Sequence, residues 1–408
     1  MIFFDQILTG TSRIALKIVF PASLLTEEQR NNGITHFLEH LHFRGNAKLP
    51  QKRLYSQMET LSSPISGETT SQTMSFSFSS PKSSFKESFD LFSEFLLESQ
   101  WSKEDFIKEK AVVMREIEED GSDSFSLRMK RSFFGHDSFS LPIAGTLSNV
   151  RKMSSKSLLR WKEKIETTDN AYCFLSGAID DSSAAYVGEK LKNGLKKPGV
   201  RYPVLPDFKI SQRRMQCVRP RWNDENELAF AIFFPKKICS YFEFSLFRSA
   251  FCGGDGAILL RDLREEHALC TGIQESVYYH KDYYILTFSC IVKKQQVPRA
   301  MEDILSALLY MKNGFNENDF LQANAVYCFD FDRFEEDPEE WNDFLFDYFE
   351  ATGTTDISKP QIKESFSRVT LVDIVQISQS VIRSENISVF AETYRQKCAE
   401  HFYGQLDR

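Results

Sequence analysis

The sequence has no stretch of eighteen or more apolar residues, so a hydrophobic transmembrane helix is not expected. An excess of positive charge is missing too. The 50 basic residues are outnumbered by 57 acidic ones, for a formal charge of -7, and nucleic acid is not an expected partner. The opening MIFFDQILTGTSRIALKIVF has no basic start and carries charges within its apolar stretches, so it does not read as a signal peptide. Cysteine is absent from the first 172 residues. The eight that follow (Cys173, Cys217, Cys239, Cys252, Cys270, Cys290, Cys328 and Cys398) include no CxxC pair. Neither a cysteine zinc site nor a disulfide scaffold is therefore expected; they read as buried, reduced thiols of a cytoplasmic protein. No Walker-type phosphate loop is present, and the turn Gly253-Gly254-Asp255-Gly256 reads as the start of a helix.

What is present is a soluble, globular composition with 42% hydrophobic residues in a chain of 408. That length exceeds one ordinary core, and two domains of about 200 residues each are the natural expectation. Residues 12–20 read as a strand, and ITHFLEHLHF as a helix with Ile34, Phe37, Leu38 and Leu41 on one side. Thr73–Ser79 alternates small polar with large apolar residues, the pattern of a half-buried strand. Residues 84–99 and 102–120 have helical spacing, the second opened by Ser102 and Asp105 three apart. A proline- and glycine-rich stretch near 192–209 suggests a linker, after which strand and helix signals recur at 226–234, 256–267 and 283–292. The expected fold is α+β, with two similar domains, each an antiparallel-rich sheet with helices packed on one face. The expected boundaries are 1–195 for the first domain, 196–210 for the linker and 211–408 for the second.

His36 and His40 are four apart, which on a helix places both imidazoles on one face. Glu39 lies beside the pair, within reach of a water at a metal held by both rings. The order H-x-x-E-H inverts the commoner H-E-x-x-H zinc motif. A catalytic zinc takes a third protein ligand and keeps one position open. The acidic helix 102–120 offers that ligand. Glu116 and Glu109 are two turns apart on one face, so one can ligate while the other hydrogen-bonds to a ligating imidazole. Glu118 and Glu119 stay open as alternatives on spacing alone. The plainer readings are an ordinary amphipathic helix and a solvated acidic face. His42, two after His40, faces elsewhere and reads as a surface residue or a support to the metal ligands. His136, His267, His280 and His401 are scattered and receive no role.

Read together, these segments resemble the pitrilysin-type (M16) zinc peptidases. The resemblance is carried by GITHFLEHLHFRGN from Gly33 to Asn46, by GHDSFSLPIAGT at 135–146 and by CGGDGAILLRDLREEHAL at 252–269. It implies one zinc ion per chain held by His36, His40 and Glu116, with Glu109 as a supporting carboxylate and Glu39 as the general base of a zinc endopeptidase. Glu116 follows His40 by 116 - 40 = 76 positions, the family's spacing. It also implies that a peptide substrate binds as an added strand along the stretch Ser66-Gly67-Glu68-Thr69, with Ser66, Gly67 and Glu68 as the substrate-binding residues. Ser66-Gly67 replaces the family's usual Asn-Ala. Of the family's Arg and Tyr pair seven residues apart, Arg264 is present, but Thr271 stands in the tyrosine's place. The resemblance therefore suggests a heterodimer in which a homologous subunit supplies an intact Arg/Tyr pair, with a homodimer as the alternative. The competing function is a non-catalytic structural or binding subunit of the same fold.

Overall fold

The computed structural model describes residues 1–407 except 121–123, 136–137, 196–198, 204–206, 213–214, 220–223, 335, 355–357 and 394–395. Parts of the expected linker, and His136, lie outside the described residues, as does the side chain of Cys398.

The chain forms two compact units. The first contains Met1–Leu127, His136–Pro206 and Asp332–Phe349; the second contains Arg128–Gly135, Asp207–Phe331 and Glu350–Arg408. Each unit therefore takes one short segment from the far half of the sequence. The units are not two uninterrupted halves of the chain.

The first unit is built on strands β1 (Ile2–Ile7), β2 (Arg13–Phe20), β3 (Ile65–Thr69), β4 (Met74–Pro81) and β5 (Tyr172–Gly177), in the order β1-β5-β2-β4-β3. Only β1 and β5 run parallel; the other pairs are antiparallel. Alternation sends Ile14, Leu16, Ile18 and Phe20 of β2, with Phe76 and Phe78 of β4, to one face. There they meet Phe37, Leu38 and Leu41 of helix Ile34–His42 and Phe85, Phe89, Phe92 and Phe95 of helix Phe85–Leu97. Each fully buried phenylalanine stabilises this layer by roughly 1.5–3 kcal/mol.

The opposite face of that sheet is where residues 338–349, from the chain's second half, pack. Lys17 reaches Asp343 at 2.7 Å, and the Ser176 hydroxyl donates to the Pro338 carbonyl at 2.8 Å. Phe349 packs against Phe4 and Tyr172 with ring centres 5.4 and 5.0 Å apart. The helices expected on one face are joined by this one on the other.

The second unit repeats the plan. Strands β6 (Met215–Val218), β7 (Glu225–Pro235), β8 (Gln274–Tyr279), β9 (Tyr283–Lys293) and β10 (Ile387–Glu392) follow the order β6-β10-β7-β9-β8. The parallel pair, β6 and β10, is again at one end. Here residues 128–135 contribute Phe134, which packs against Tyr278, and Arg128, which pairs with Glu392. Among the described residues no helix is long and apolar enough to cross a membrane.

Candidate metal centre

Helix Ile34–His42 begins at Gly33, whose φ of 92° lies in the left-handed region that suits glycine. A Cβ there would stand 2.5 Å from the Ala144 carbonyl oxygen and 2.7 Å from the Gly145 Cα. Two glycines thus let the helix start touch the 142–145 turn. The exposed amides of that start are satisfied by a buried carboxylate. Glu27 accepts from the Gly33 and Thr35 backbone N–H groups, both at 2.9 Å, and from the Asn32 side-chain amide at 3.2 Å. Burial nevertheless pushes Glu27 above its ordinary value, against those hydrogen bonds.

One turn further, the His36 and His40 rings lie side by side, with centres 4.6 Å apart and planes tilted by 55°. Helix Lys103–Asp120 opens with the expected capping pair: the Asp105 N–H donates to the Ser102 hydroxyl at 3.0 Å. It carries Glu116 to both rings. His36 Nε2 is 3.6 Å from Glu116 Oε1, and His40 Nε2 is 3.5 Å from Glu116 Oε2. These gaps are too long for hydrogen bonds. They match the separation of about 3.4 Å between neighbouring ligands of a tetrahedral ion with bonds of roughly 2.1 Å. The three donor atoms lie within 4.8 Å of one another. Glu118 and Glu119 are exposed, and Glu119 pairs instead with Arg115 at 2.8 Å.

The rings differ electrostatically. Burial, then the charge of His40, pushes His36 down to about 3, which keeps it neutral, as a metal ligand must be. Its Nδ1 is buried with no hydrogen-bond partner among the described residues. Burial also works to lower His40, but the hydrogen bond to Glu109 and the charges of Glu39, Glu109 and Glu116 outweigh it and raise the ring. Glu109 Oε1 is 2.9 Å from His40 Nδ1, and its Oε2 accepts from Arg44 Nε. Burial raises Glu109, but His40 and Arg44 more than reverse this and hold it below the usual carboxylate range.

Glu39 is 8% exposed. Burial first, then Glu116 and Glu68, raise its carboxyl against the lowering effects of Thr69 and His40. Ser66, Gly67 and Glu68 lie on β3, the last strand of the sheet, with Ser66 and Glu68 exposed. Arg264 belongs to the second unit, in the π-helical turn Arg261–Glu266, 3.2 Å from Glu265 and 3.9 Å from Asp255. Thr271 is exposed, while Tyr278 and Tyr279 are spent on packing in β8.

His42 corrects the sequence reading. It is fully buried, with Nε2 2.7 Å from Glu166 Oε1 and its ring between Phe76 and Phe95. Its helix face is covered by the sheet, so it is a core residue paired with Glu166. Arg44 and Glu27 were not singled out from the sequence, and Thr69 was read there only as the end of the substrate edge, not as a partner of Glu39. Arg44 and Glu27 lie close to the histidine motif, but their roles depend on partners that sequence spacing does not reveal.

The insulinase family (peptidase family M16) matches residues 8–146, and the family described as peptidase M16 inactive domain matches residues 152–327. The chain is 22% identical over 264 residues to an uncharacterised zinc protease, YmxG, of Bacillus subtilis, covering 62% of this chain and 61% of that protein. It is 22% identical over 241 residues to the mitochondrial-processing peptidase subunit beta of Caenorhabditis elegans, covering 55% and 52%. It is also 26% identical over 181 residues to the ubiquinol-cytochrome-c reductase complex core protein I of Euglena gracilis, covering 42% and 36%. The matches thus span between about a third and three fifths of these relatives' lengths. The fold is shared with a protease from Helicobacter pylori, with a TM-score of 0.80 at 14% identity over 94% of both chains. A peptidase M16 inactive domain from Pseudomonas fluorescens gives 0.78 at 13% identity, over 95% of this chain and 94% of that one. With both family matches laid end to end over most of its length, the chain belongs to the M16 (insulinase) peptidase family.

Proposed function

We propose that this protein is a zinc-dependent endopeptidase that cleaves peptides or leader segments, with one zinc ion per chain. The observation that carries the reading is the convergence of His36, His40 and Glu116 at ligand spacing, with the Glu39 carboxylate beside them. His36, His40 and Glu116 would hold the ion, and Glu109, backed by Arg44, would fix the His40 ring with Nε2 towards it. A bound zinc ion supplies Lewis-acid polarisation of a carbonyl and acidifies water.

Glu39 would take the proton from the attacking water and return it to the leaving amine; a carboxyl raised by burial is suited to both steps. The outer side of β3 is the reading's substrate edge, where an extended peptide would pair with the backbone of Ser66, Gly67 and Glu68. Arg264 is assigned to holding substrate on resemblance. Thr271, lacking a phenol, favours a heterodimer with a homologous subunit that supplies an Arg/Tyr pair.

The test is Glu39→Gln. It should retain zinc and lose peptide cleavage, a loss on the order of several kcal/mol of transition-state stabilisation. Undiminished cleavage removes Glu39 from the mechanism. The second reading, a non-catalytic subunit, draws support from the likeness to a respiratory-complex core protein. It predicts no cleavage by the wild-type chain alone, and any cleavage seen with its native partner unaffected by Glu39→Gln.

A further inference from the structure

Strand β3 does more than offer an edge. Gly67 and Thr69, two residues apart, share the face turned towards helix Ile34–His42. The Thr69 hydroxyl donates to Glu39 Oε2 at 2.8 Å. On the same face, a Cβ built at Gly67 would stand 2.9 Å from Glu39 Oε1 and 2.7 Å from the Phe43 ring. The two oxygens of this carboxylate are therefore treated differently by one strand. Oε2 is engaged by a hydroxyl, while Oε1 has no hydrogen-bond partner among the described residues and lies over a backbone that carries no side chain.

The terminal torsion of a glutamate is broad and roughly two-fold, so burial alone does not decide which oxygen points where. A hydrogen bond from a β-branched residue on a paired strand does decide it. Thr69 pairs with Met74 of β4, and its own χ1 is restricted.

We propose that Thr69 is a positioning residue for Glu39: its hydroxyl anchors Oε2 so that Oε1, left open by Gly67, is the oxygen that accepts the proton. This rests on the reading of Glu39 as the general base. It also makes β3 serve two purposes, since the strand whose outer edge would pair with substrate holds the base from its inner face. Any shift of β3 on substrate pairing would be felt directly at the carboxylate.

The experiment compares wild type, Thr69→Val, Thr69→Ser and Glu39→Gln, each purified with whatever chain accompanies it and assayed with an internally quenched fluorescent peptide library. Valine keeps the shape and strand preference of threonine and removes only the hydroxyl. Thr69→Val should lower kcat roughly ten- to hundredfold, with KM within about twofold of wild type and zinc content unchanged. Thr69→Ser should recover most of that loss, which a purely structural role for the side chain would not produce. Wild-type kcat in Thr69→Val overturns the proposal, as does a loss confined to KM or one that serine fails to relieve. Full activity in Glu39→Gln is a separate failure, that of the base itself.

Discussion

Replacing Glu109 by glutamine probes the support behind the candidate ligands. The carboxylate has two partners and 8% side-chain exposure: Oε1 faces His40 Nδ1 at 2.9 Å, and Oε2 accepts from Arg44 Nε. Held below the usual carboxylate range by those partners, against the effect of burial, it is ionised at neutral pH. A glutamine keeps the shape but has one oxygen to offer. Its amide nitrogen must then face either the His40 N–H or the Arg44 N–H, donor against donor. One charge-assisted hydrogen bond is lost, worth about 1.5–3 kcal/mol. At 1.36 kcal/mol per factor of ten, that is a fall in zinc affinity of roughly ten- to a hundredfold. The assay is competition for zinc between the chain and a chromogenic chelator at fixed pH, with circular dichroism to confirm that the variant is folded. A folded variant whose affinity stays within about twofold of wild type would refute the claim that Glu109 orients His40.

Phe349→Ala tests whether residues 338–349 are integral to the first unit. This ring is 2% exposed, and its loss should cost about 3–5 kcal/mol, measured by urea unfolding; a cost below about 1 kcal/mol would mean the segment is only loosely docked. A pH effect is expected at Asp90, remote from the candidate ligands. Partial burial pushes its carboxyl up, but Lys190, Tyr186 and Lys86 outweigh this and hold it below its ordinary value. Its folded pKa being the lower one, its contribution is present above the ordinary aspartate range and fades as pH falls through the folded value. Asp90→Asn should flatten the acid limb of the stability profile; an unaltered limb means the cluster contributes nothing there.

The candidate site was legible where spacing is local. A four-residue interval puts two imidazoles on one helical face whatever the fold, and the alternation at Thr73–Ser79 describes β4 equally directly. Glu116 was fixed among neighbouring acids by family spacing. Helical periodicity shows only that it shares a face with Glu109. Residues whose roles depend on distant partners were not legible. His42 was placed on another face correctly, but only the tertiary fold makes that face the core. The docking of 338–349 on the first unit's sheet is equally non-local: its apolar spacing is that of any amphipathic helix, and its partners lie more than 150 residues away, as with Ser176 and Pro338. Gly67 read only as a departure from the family's usual alanine. In the structure the missing Cβ makes room for Glu39 and Phe43.

The most direct measurement is zinc content together with X-ray absorption at the zinc edge, on the wild-type chain and on His36→Ala, His40→Ala and Glu116→Ala. The wild type should carry one ion per chain in a shell of two imidazole nitrogens and oxygen, and each variant should lose it. Stoichiometric zinc retained by the Glu116 variant with an unchanged shell, or a sulfur-containing shell in the wild type, would contradict the account.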